Sequence, residues 1–344
     1  MKQTVLAVLL GASVLGSAVA QAAMSPSAAA SAPRAMVVDT AFVAAAAQRG
    51  AIVWDTRDAD AYAKGHIPGA VNIGDIGKVL RYDNDEDYIP IDRIGKILGA
   101  AGIDPSKEII VYGDKGNPFV YFGLTTVEYF GGKNGHVYHG GIDDWKSAGN
   151  ALSTEPSKLA ALDLKLKADS GVTIATRDVI KRLNKRNVQI LDVRTPKEFS
   201  GEDIRAIRGG HIPGAVNIPF EQNWADPETP QKLAKKEVSN KDGLALKSRD
   251  QLKALYAKLD PEKETVVYCQ SGVRASETAA VLKDLGFKKV EVYDSSWLGY
   301  GNTLDAPAAN VTFFNVGQLN GKLAGLQKRI DGLEKQLAES KAGK

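Results

Sequence analysis

The chain has 344 residues, of which 44% are hydrophobic and 25% charged, and its formal net charge is +3. This length suits about two domains, and the composition is ordinary for a soluble globular protein. The charge excess is small and evenly spread, which argues against a nucleic-acid partner.

The N-terminus stands apart from the rest. Lys2 precedes an apolar run from Thr4 to Ala20 that ends in Ala18-Val19-Ala20, with Ala22 and Ala23 just beyond. That is the layout of a secretory signal peptide, expected over residues 1–22 with cleavage after Ala20, Ala22 or Ala23. An uncleaved anchor helix is disfavoured, because the run is short and gapped by Gly11, Ser13, Gly16 and Ser17. No cysteine follows to carry a lipid anchor, so no membrane attachment is expected after signal removal. The mature protein is expected in a bacterial periplasm. Residues 23–37, rich in Ala, Ser and Pro, read as a disordered lead-in.

A first αβ unit is expected over residues 38–152. Asp39-Thr40 is placed to cap a helix over 41–48, and Ile52-Val53-Trp54 reads as a buried strand running into Asp55-Thr56-Arg57. After Gly65-His66-Ile67-Pro68-Gly69-Ala70-Val71-Asn72-Ile73 come a helix near 91–101, a strand over 108–112, a glycine-bearing loop and a helix over 120–130. Val137-Tyr138 and Gly140-Gly141-Ile142-Asp143-Asp144-Trp145 close the unit. Residues 153–172 are polar, with Pro156 and several lysines, and read as an interdomain linker.

A second unit, over 173–306, repeats the first in order. A helix is expected at 176–184 and a strand at 188–193, ending in Asp192-Val193-Arg194. Gly210-His211-Ile212-Pro213-Gly214-Ala215-Val216-Asn217-Ile218 is identical, residue for residue, to 65–73. A helix at 248–259, a strand leading into Cys269, then Val290 to Asp294 and Trp297 complete it. Such identity in matching context marks an internal duplication. Alternating strands and helices give an α/β class, each domain a mostly parallel sheet with helices on both faces. Loops at the C-terminal ends of the strands would form the site.

The last segment, expected as a helix over 311–340, has its own pattern. Val316, Leu319, Leu323, Leu326, Ile330, Leu333 and Leu337 are spaced alternately by three and four, an unbroken a/d stripe. With Val316 at a, Arg329 falls at g and Glu334 at the following e. Gly317, Gly321, Gly325 and Gly332 weaken the helix alone. Two readings stay open: a homo-oligomer through residues 316–337, or a tail helix lying on its own domain.

The chemistry concentrates in Glu264 to Ser276. Thr265-Val266-Val267 reads as a buried strand, Cys269 follows it, and an apolar pattern at helical spacing runs from Ala275 to Leu285. This places a thiol at a helix N-terminus near backbone N–H groups, a setting suited to a nucleophilic thiolate and to anions. Cys269 is the only cysteine, so it cannot form an internal disulfide. In an oxidising compartment a lone thiol is a liability unless it has a use.

The duplicated Gly-His-Ile-Pro-Gly-Ala-Val-Asn stretches, Asp192-Val193-Arg194 and the Cys269-Gln270-Ser271-Gly272-Val273-Arg274 loop together resemble the two-domain rhodaneses, over about residues 38–306. That family includes thiosulfate and 3-mercaptopyruvate sulfurtransferases. The resemblance implies two rhodanese-like domains, the second catalytic and the first without its nucleophile. Aligning Val111-Tyr112 with Val267-Tyr268 puts Gly113 opposite Cys269 and Gly116 opposite Gly272. Family members commonly have Asp at the inactive position, from which Gly113-Asp114 departs slightly.

The activity so implied is a transfer of sulfane sulfur through a Cys269 persulfide, from thiosulfate to a thiophilic acceptor such as cyanide or a thiol. No cofactor or metal is implied; the partners are a small anionic sulfur donor and that acceptor. Arg274 would bind the donor, hold the loop's shape or point to solvent. Arg194 would meet the sulfonate end of thiosulfate, or pair with Asp192 or Glu198. Ser271 would donate a hydrogen bond to donor or persulfide, or cap the helix. Gly272 lets the loop curl with φ > 0, and Gln270 and Val273 complete it. His66 and His211 occur in both units and so read as turn hydrogen bonders rather than general bases. Asp75 is a candidate for the interdomain wall; Trp145 and Trp297 read as core.

Two rivals are weighed. Cysteine phosphatases need a Cys-x5-Arg loop, whereas Arg274 lies five residues after Cys269, one too early. A non-enzymatic sulfur carrier or binding scaffold, oligomerised through residues 316–337 and persulfidated at Cys269 without turnover, is the other. Within the enzyme reading, Ser271-Gly272-Val273 matches the Cys-Gly-Ser-Gly-Val-Thr loop typical of mercaptopyruvate enzymes, but Gln270 and Arg274 do not. A positive Arg274 favours the doubly charged thiosulfate.

Overall fold

The structure, a computed structural model, describes residues 36–342 apart from residue 85. The signal peptide expected at 1–22 and nearly all of the lead-in at 23–37 lie outside the described residues.

The first half runs α1 (Thr40–Gln48), β1 (Ile52–Asp55), α2 (Ala59–Lys64), β2 (Val71–Asn72), α3 (Ile76–Val79), α4 (Ile91–Ala100), β3 (Ile109–Tyr112), α5 (Phe119–Tyr129), β4 (Gly135–Tyr138) and α6 (Gly141–Ser147). Its strands form one parallel sheet in the order β2-β1-β3-β4. β1 and β3 are apolar throughout because both sheet faces are covered. Trp54, Ile109 and Val111 face one cluster with Leu124 and Val127 of α5. Val53, Ile110 and Tyr112 face the other, with Val43 of α1 and Ile142 of α6. The period of two along each strand separates the two cores.

The second half runs α7 (Thr176–Arg182), β5 (Val188–Asp192), α8 (Pro196–Ser200), β6 (Arg208–His211), β7 (Val216–Asn217), α9 (Thr229–Ala234), α10 (Arg249–Leu255), β8 (Glu264–Tyr268), α11 (Val273–Leu285), β9 (Lys289–Val292) and α12 (Ser296–Asn302). Its parallel sheet has the equivalent order, β7-β5-β8-β9. The duplication read in the sequence is therefore a duplication of architecture.

Three stretches depart from expectation. α11 begins at Val273 rather than 275, because Gly272 takes a left-handed φ of 81° and starts the helix at once. Arg274 thus sits on a helical turn. The expected helix from 311 begins at Val316 as α13 (Val316–Ala342), after a strand, β10 (Ala309–Phe313). The run Val311-Thr312-Phe313 is β-branched and aromatic, hence strand-forming, and Asn315 Oδ1 accepts the Gln318 N–H to cap α13. β10 pairs antiparallel with β6, whose glycines permit the approach. A Cβ at Gly210 would lie 2.3 Å from the Ala309 carbonyl oxygen. In the first half a single antiparallel bridge, His66 to Ser153, occupies the matching place.

The stretch read as a polar linker is pinned down. The Leu162 N–H donates to the Gly99 carbonyl at 2.9 Å, and Leu164 and Leu166 pack on the first core. A Cβ at Gly99 would meet the Leu162 carbonyl oxygen at 2.3 Å, so the small residues of α4 make the track for this segment.

The halves join through α5 and α11. Val273 and Ala280 of α11 belong to the hydrophobic cluster of the first half, and Lys283 pairs with Glu128 at 2.7 Å. His139 bridges the halves as well: Nε2 bonds the Leu244 carbonyl at 2.7 Å and Nδ1 meets the Tyr121 hydroxyl at 2.9 Å. A carbonyl only accepts, so Nε2 carries the proton and Nδ1 accepts from Tyr121. Burial pushes His139 down to about 4, which keeps this bridge neutral. Among the described residues no helix is long and apolar enough to cross a membrane.

Candidate active site

Cys269 follows the C-terminal end of the central strand β8 and is 1% exposed. It belongs to the hydrophobic cluster of its half, together with Leu191, Val193 and Ala275. The loop ends at Gly272, where α11 begins. The Ser276 N–H is bonded to the Gly272 carbonyl. The N–H groups of Gln270, Ser271, Val273, Arg274 and Ala275 are not engaged by other protein groups among the described residues. The amides of a helix's first turn carry its partial positive charge.

The loop is tied from behind by a residue the sequence reading passed over. Ser296 Oγ accepts the N–H of Cys269 and the N–H of Gly272, both at 3.0 Å, and donates to the Tyr293 carbonyl at 2.6 Å. Ser296 pays for this with a φ of 48°, unusual for a non-glycine residue. In the first half the same place is Gly141, at φ 54°, and no side chain exists to hold the loop there. A strained serine where the duplicate has glycine marks a hydroxyl kept for its bonds. The signal was present in the sequence as Gly141 aligned with Ser296.

The first half also reaches the loop. Arg81 Nη2 donates to the Ser271 carbonyl at 2.6 Å, with its side chain 2% exposed and its guanidinium over the Phe122 ring. Beneath the loop lies Asp294; a Cβ at Gly272 would sit 2.6 Å from its Oδ1, so glycine is required there for space as well as for φ. Burial pushes Asp294 up to about 7, with Arg81 opposing and Asp87 adding. No local motif announces Arg81, because its partner is 190 residues away in sequence.

Arg274 does not point to solvent. It makes a two-pronged bond to Glu198, Nη1 to Oε2 at 2.8 Å and Nη2 to Oε1 at 2.7 Å. Arg205 adds a third contact to Glu198 at 3.1 Å. Burial opposes the Arg274 charge, yet the bonds to Glu198 and the fields of Cys269 and Glu198 hold it above its ordinary range. Burial likewise opposes the Glu198 charge, but Arg274, the Thr195 N–H and Arg205 outweigh it and hold Glu198 at about 2. Of these groups Arg274 is the one whose field reaches Cys269, and Glu221 also acts on Arg274, its own carboxyl raised by burial. One turn along α11, Glu277 bonds Trp224 Nε1 at 3.0 Å, and burial pushes it up to about 8.

The remaining candidates divide. Arg194 is 1% exposed; its Nε and Nη2 bond Asp192 at 2.6–3.2 Å, and Nη2 also bonds the Gly210 carbonyl. Arg57 and Asp55 repeat this geometry in the half without a thiol. Of the two readings left open for Arg194, donor ligand or ion pair, the structure shows the buried ion pair with Asp192. Ser271 is no helix cap, since that place is held by Gly272; its carbonyl takes the Arg81 bond. Gln270 Nε2 bonds the Arg205 carbonyl at 2.6 Å, and Val273 is buried between the halves. His66 and His211 bond the Tyr62 and Phe199 carbonyls through Nδ1, reaching the preceding helix rather than their own turns. Asp75 caps α3, its Oδ1 accepting the Gly77 N–H. Trp145 and Trp297 are buried.

In the first half Gly113 stands at the thiol's place, its carbonyl bonded to the Ile142 N–H as the Cys269 carbonyl is to Trp297. A Cβ at Gly113 would lie 3.0 Å from Thr56 Oγ1 and Val120 Cγ2. Among the described residues no group of three or more His, Cys, Asp or Glu is arranged to hold a metal ion.

Two outcomes are expected. Ser296→Gly and Ser296→Ala should each slow reaction of the Cys269 thiol by about 10- to 100-fold, as expected for a reacting group held out of place. Ser296→Gly should be the more stable of the two by about 1 kcal/mol, because it relieves the positive φ; wild-type turnover in Ser296→Gly would show that the hydroxyl is not needed. Glu198 ionises at about 2 when folded and near its ordinary value when unfolded. Its stabilisation is therefore complete above about pH 4.5 and lost as pH falls to about 2, a total of about 3 kcal/mol. Denaturant unfolding across that window should show a shallower acid loss in Glu198→Gln, and parallel curves would contradict the assignment.

A rhodanese-like domain model matches the chain twice, at residues 40–148 and 175–303. A thiosulfate sulfurtransferase of Corynebacterium glutamicum is 34% identical over 268 residues, spanning 74% of this chain and 83% of that protein. Among solved structures, the anaerobic ergothioneine biosynthesis enzyme from Chlorobium limicola superposes with a TM-score of 0.67 at 21% identity, covering 79% of this chain and 69% of that one. That likeness concerns the fold alone. With one such domain carrying the thiol and the other a glycine in its place, the chain belongs to the rhodanese family in its tandem form.

Proposed function

We propose that the protein is a thiosulfate sulfurtransferase that works through a persulfide on Cys269. The observation that carries the reading is the thiol at the end of β8, with the first turn of α11 and the charged Arg274 beside it. The Corynebacterium relative bears that activity in its name. In the first half-reaction the Cys269 thiolate attacks the outer sulfur of thiosulfate. The S–S bond of the donor breaks, sulfite leaves with the bonding pair, and the enzyme keeps a Cys–S–S⁻ group. In the second, a nucleophilic acceptor attacks that outer sulfur; with cyanide, thiocyanate leaves and the thiolate returns. Loop amides and the charged Arg274, whose field reaches Cys269, favour the anionic states on both sides of the cycle.

The first half contributes no nucleophile and supports the loop through Arg81. Thiocyanate formation from thiosulfate and cyanide should follow ping-pong kinetics and vanish in Cys269→Ala. A far higher kcat/KM with 3-mercaptopyruvate would move the donor assignment to that substrate, which the Ser271-Gly272-Val273 match favours. No thiocyanate with either donor would leave a non-turnover sulfur carrier.

Export to the periplasm belongs to the same proposal, supported by Lys2, the apolar run to Ala20 and the small residues that follow. Expressed in a Gram-negative host, the protein should be recovered from the periplasmic fraction with Gln21, Ala23 or Met24 as its first residue. Soluble cytosolic protein retaining the leader would refute this.

A further inference from the structure

The C-terminal helix α13 is 27 residues long, about 40 Å at the α-helical rise. All seven residues of its a/d stripe, from Val316 to Leu337, are between 36% and 60% exposed. The helix does not lie on its own domain. At its root a second apolar group is exposed: Ile207, Leu304, Phe313 and Phe314, at 41–66%. These side chains come from β10 and the segments beside it, with the Phe314 N–H bonded to the Ile207 carbonyl. Exposed apolar side chains thus lie on the catalytic domain immediately before the start of the stripe.

We infer that this surface is covered by a second copy of the chain in a parallel two-stranded coiled coil. The heptad positions choose the occupant. Gly317, Gly321, Gly325 and Gly332 fall at b, f, c and c, all on the outer face, so the contact positions a, d, e and g are free of glycine. Glycines weaken an isolated helix, which gives α13 a need for a partner that its own stripe can meet. The a positions alternate β-branched Val316 and Ile330 with Leu323 and Leu337, and every d position (Leu319, Leu326, Leu333) is leucine, a set that fits two strands.

Charge chooses the orientation. In a parallel pair Arg329 at g faces the partner's Glu334 at e, and Lys322 faces the partner's Gln327. An antiparallel pair of full overlap would instead oppose Lys322 to the partner's Arg329, a like-charge contact.

The test is the solution mass and the strand orientation. By light scattering at micromolar concentration the protein should have twice the mass of the chain. A chain ending at Asn315, and the double variant Leu326→Asp with Ile330→Asp, should have the single mass. Both changes fall on exposed positions, and an unchanged thermal transition of the two domains would verify folding. For orientation, Leu319→Cys in a Cys269→Ser background should form an interchain disulfide on air oxidation, because only parallel strands bring the two positions together. A monomeric wild type overturns the proposal, as does a trimer or larger mass. A dimer that forms no disulfide at 319 overturns the parallel arrangement.

Discussion

Two amides of the Cys269 loop end on one oxygen, Ser296 Oγ, which a residue at a φ of 48° holds in place. That constraint sets the position of Cys269 and the left-handed turn at Gly272 together. The turn fixes where α11 begins, and the start of α11 fixes which residues face α5. Position of the thiol and docking of the two halves are thus one geometrical problem with one solution. The duplicate at Gly141 has a similar positive φ without the hydroxyl, so the backbone conformation is common to both halves while the strain, and the hydroxyl it positions, belong to one.

The charge pattern around the loop follows from unequal burial. Asp294 and Glu277 are enclosed with few compensating charges, and burial draws both toward the neutral form at physiological pH. Glu198 is also enclosed, yet two arginines and the Thr195 N–H keep it ionised. Near neutral pH Asp294, at about 7, is partly protonated and Glu277, at about 8, is largely neutral; burial also raises Glu221, whose field acts on Arg274, while Glu198 stays ionised. Repulsion of an incoming dianion is thereby reduced without removing the carboxyl groups that organise the loop and helix.

Much of this was legible in the chain itself. The two sheets, the duplicated order and the Cys269 loop follow from local pattern: β-branched strands, helical spacing and a nine-residue repeat. What escaped has a common cause. Arg81 bonds a carbonyl in the other half, and the sequence holds no local trace of a contact between such distant residues. Strand β6 hid because Arg208-Gly209-Gly210-His211 is strand only by virtue of the β10 backbone beside it. Arg194 looked like a ligand because it is basic and next to a strand end; the identical Arg57–Asp55 pair in the thiol-free half could have identified it as core. Ser296 was readable by the same device, through its glycine counterpart. The start of α13 was misplaced because aromatic and β-branched residues before Asn315 follow strand preference rather than the heptad.

Val273, one residue past the loop, lies in the hydrophobic cluster of the half that has no nucleophile. Ala280, two turns on, lies there too. The helix that presents the thiol is therefore shared property, and excising the reactive half would leave its first turn facing water. The half without a thiol acts as an intramolecular mould for the first two turns of α11, so the two halves share one continuous core along that helix.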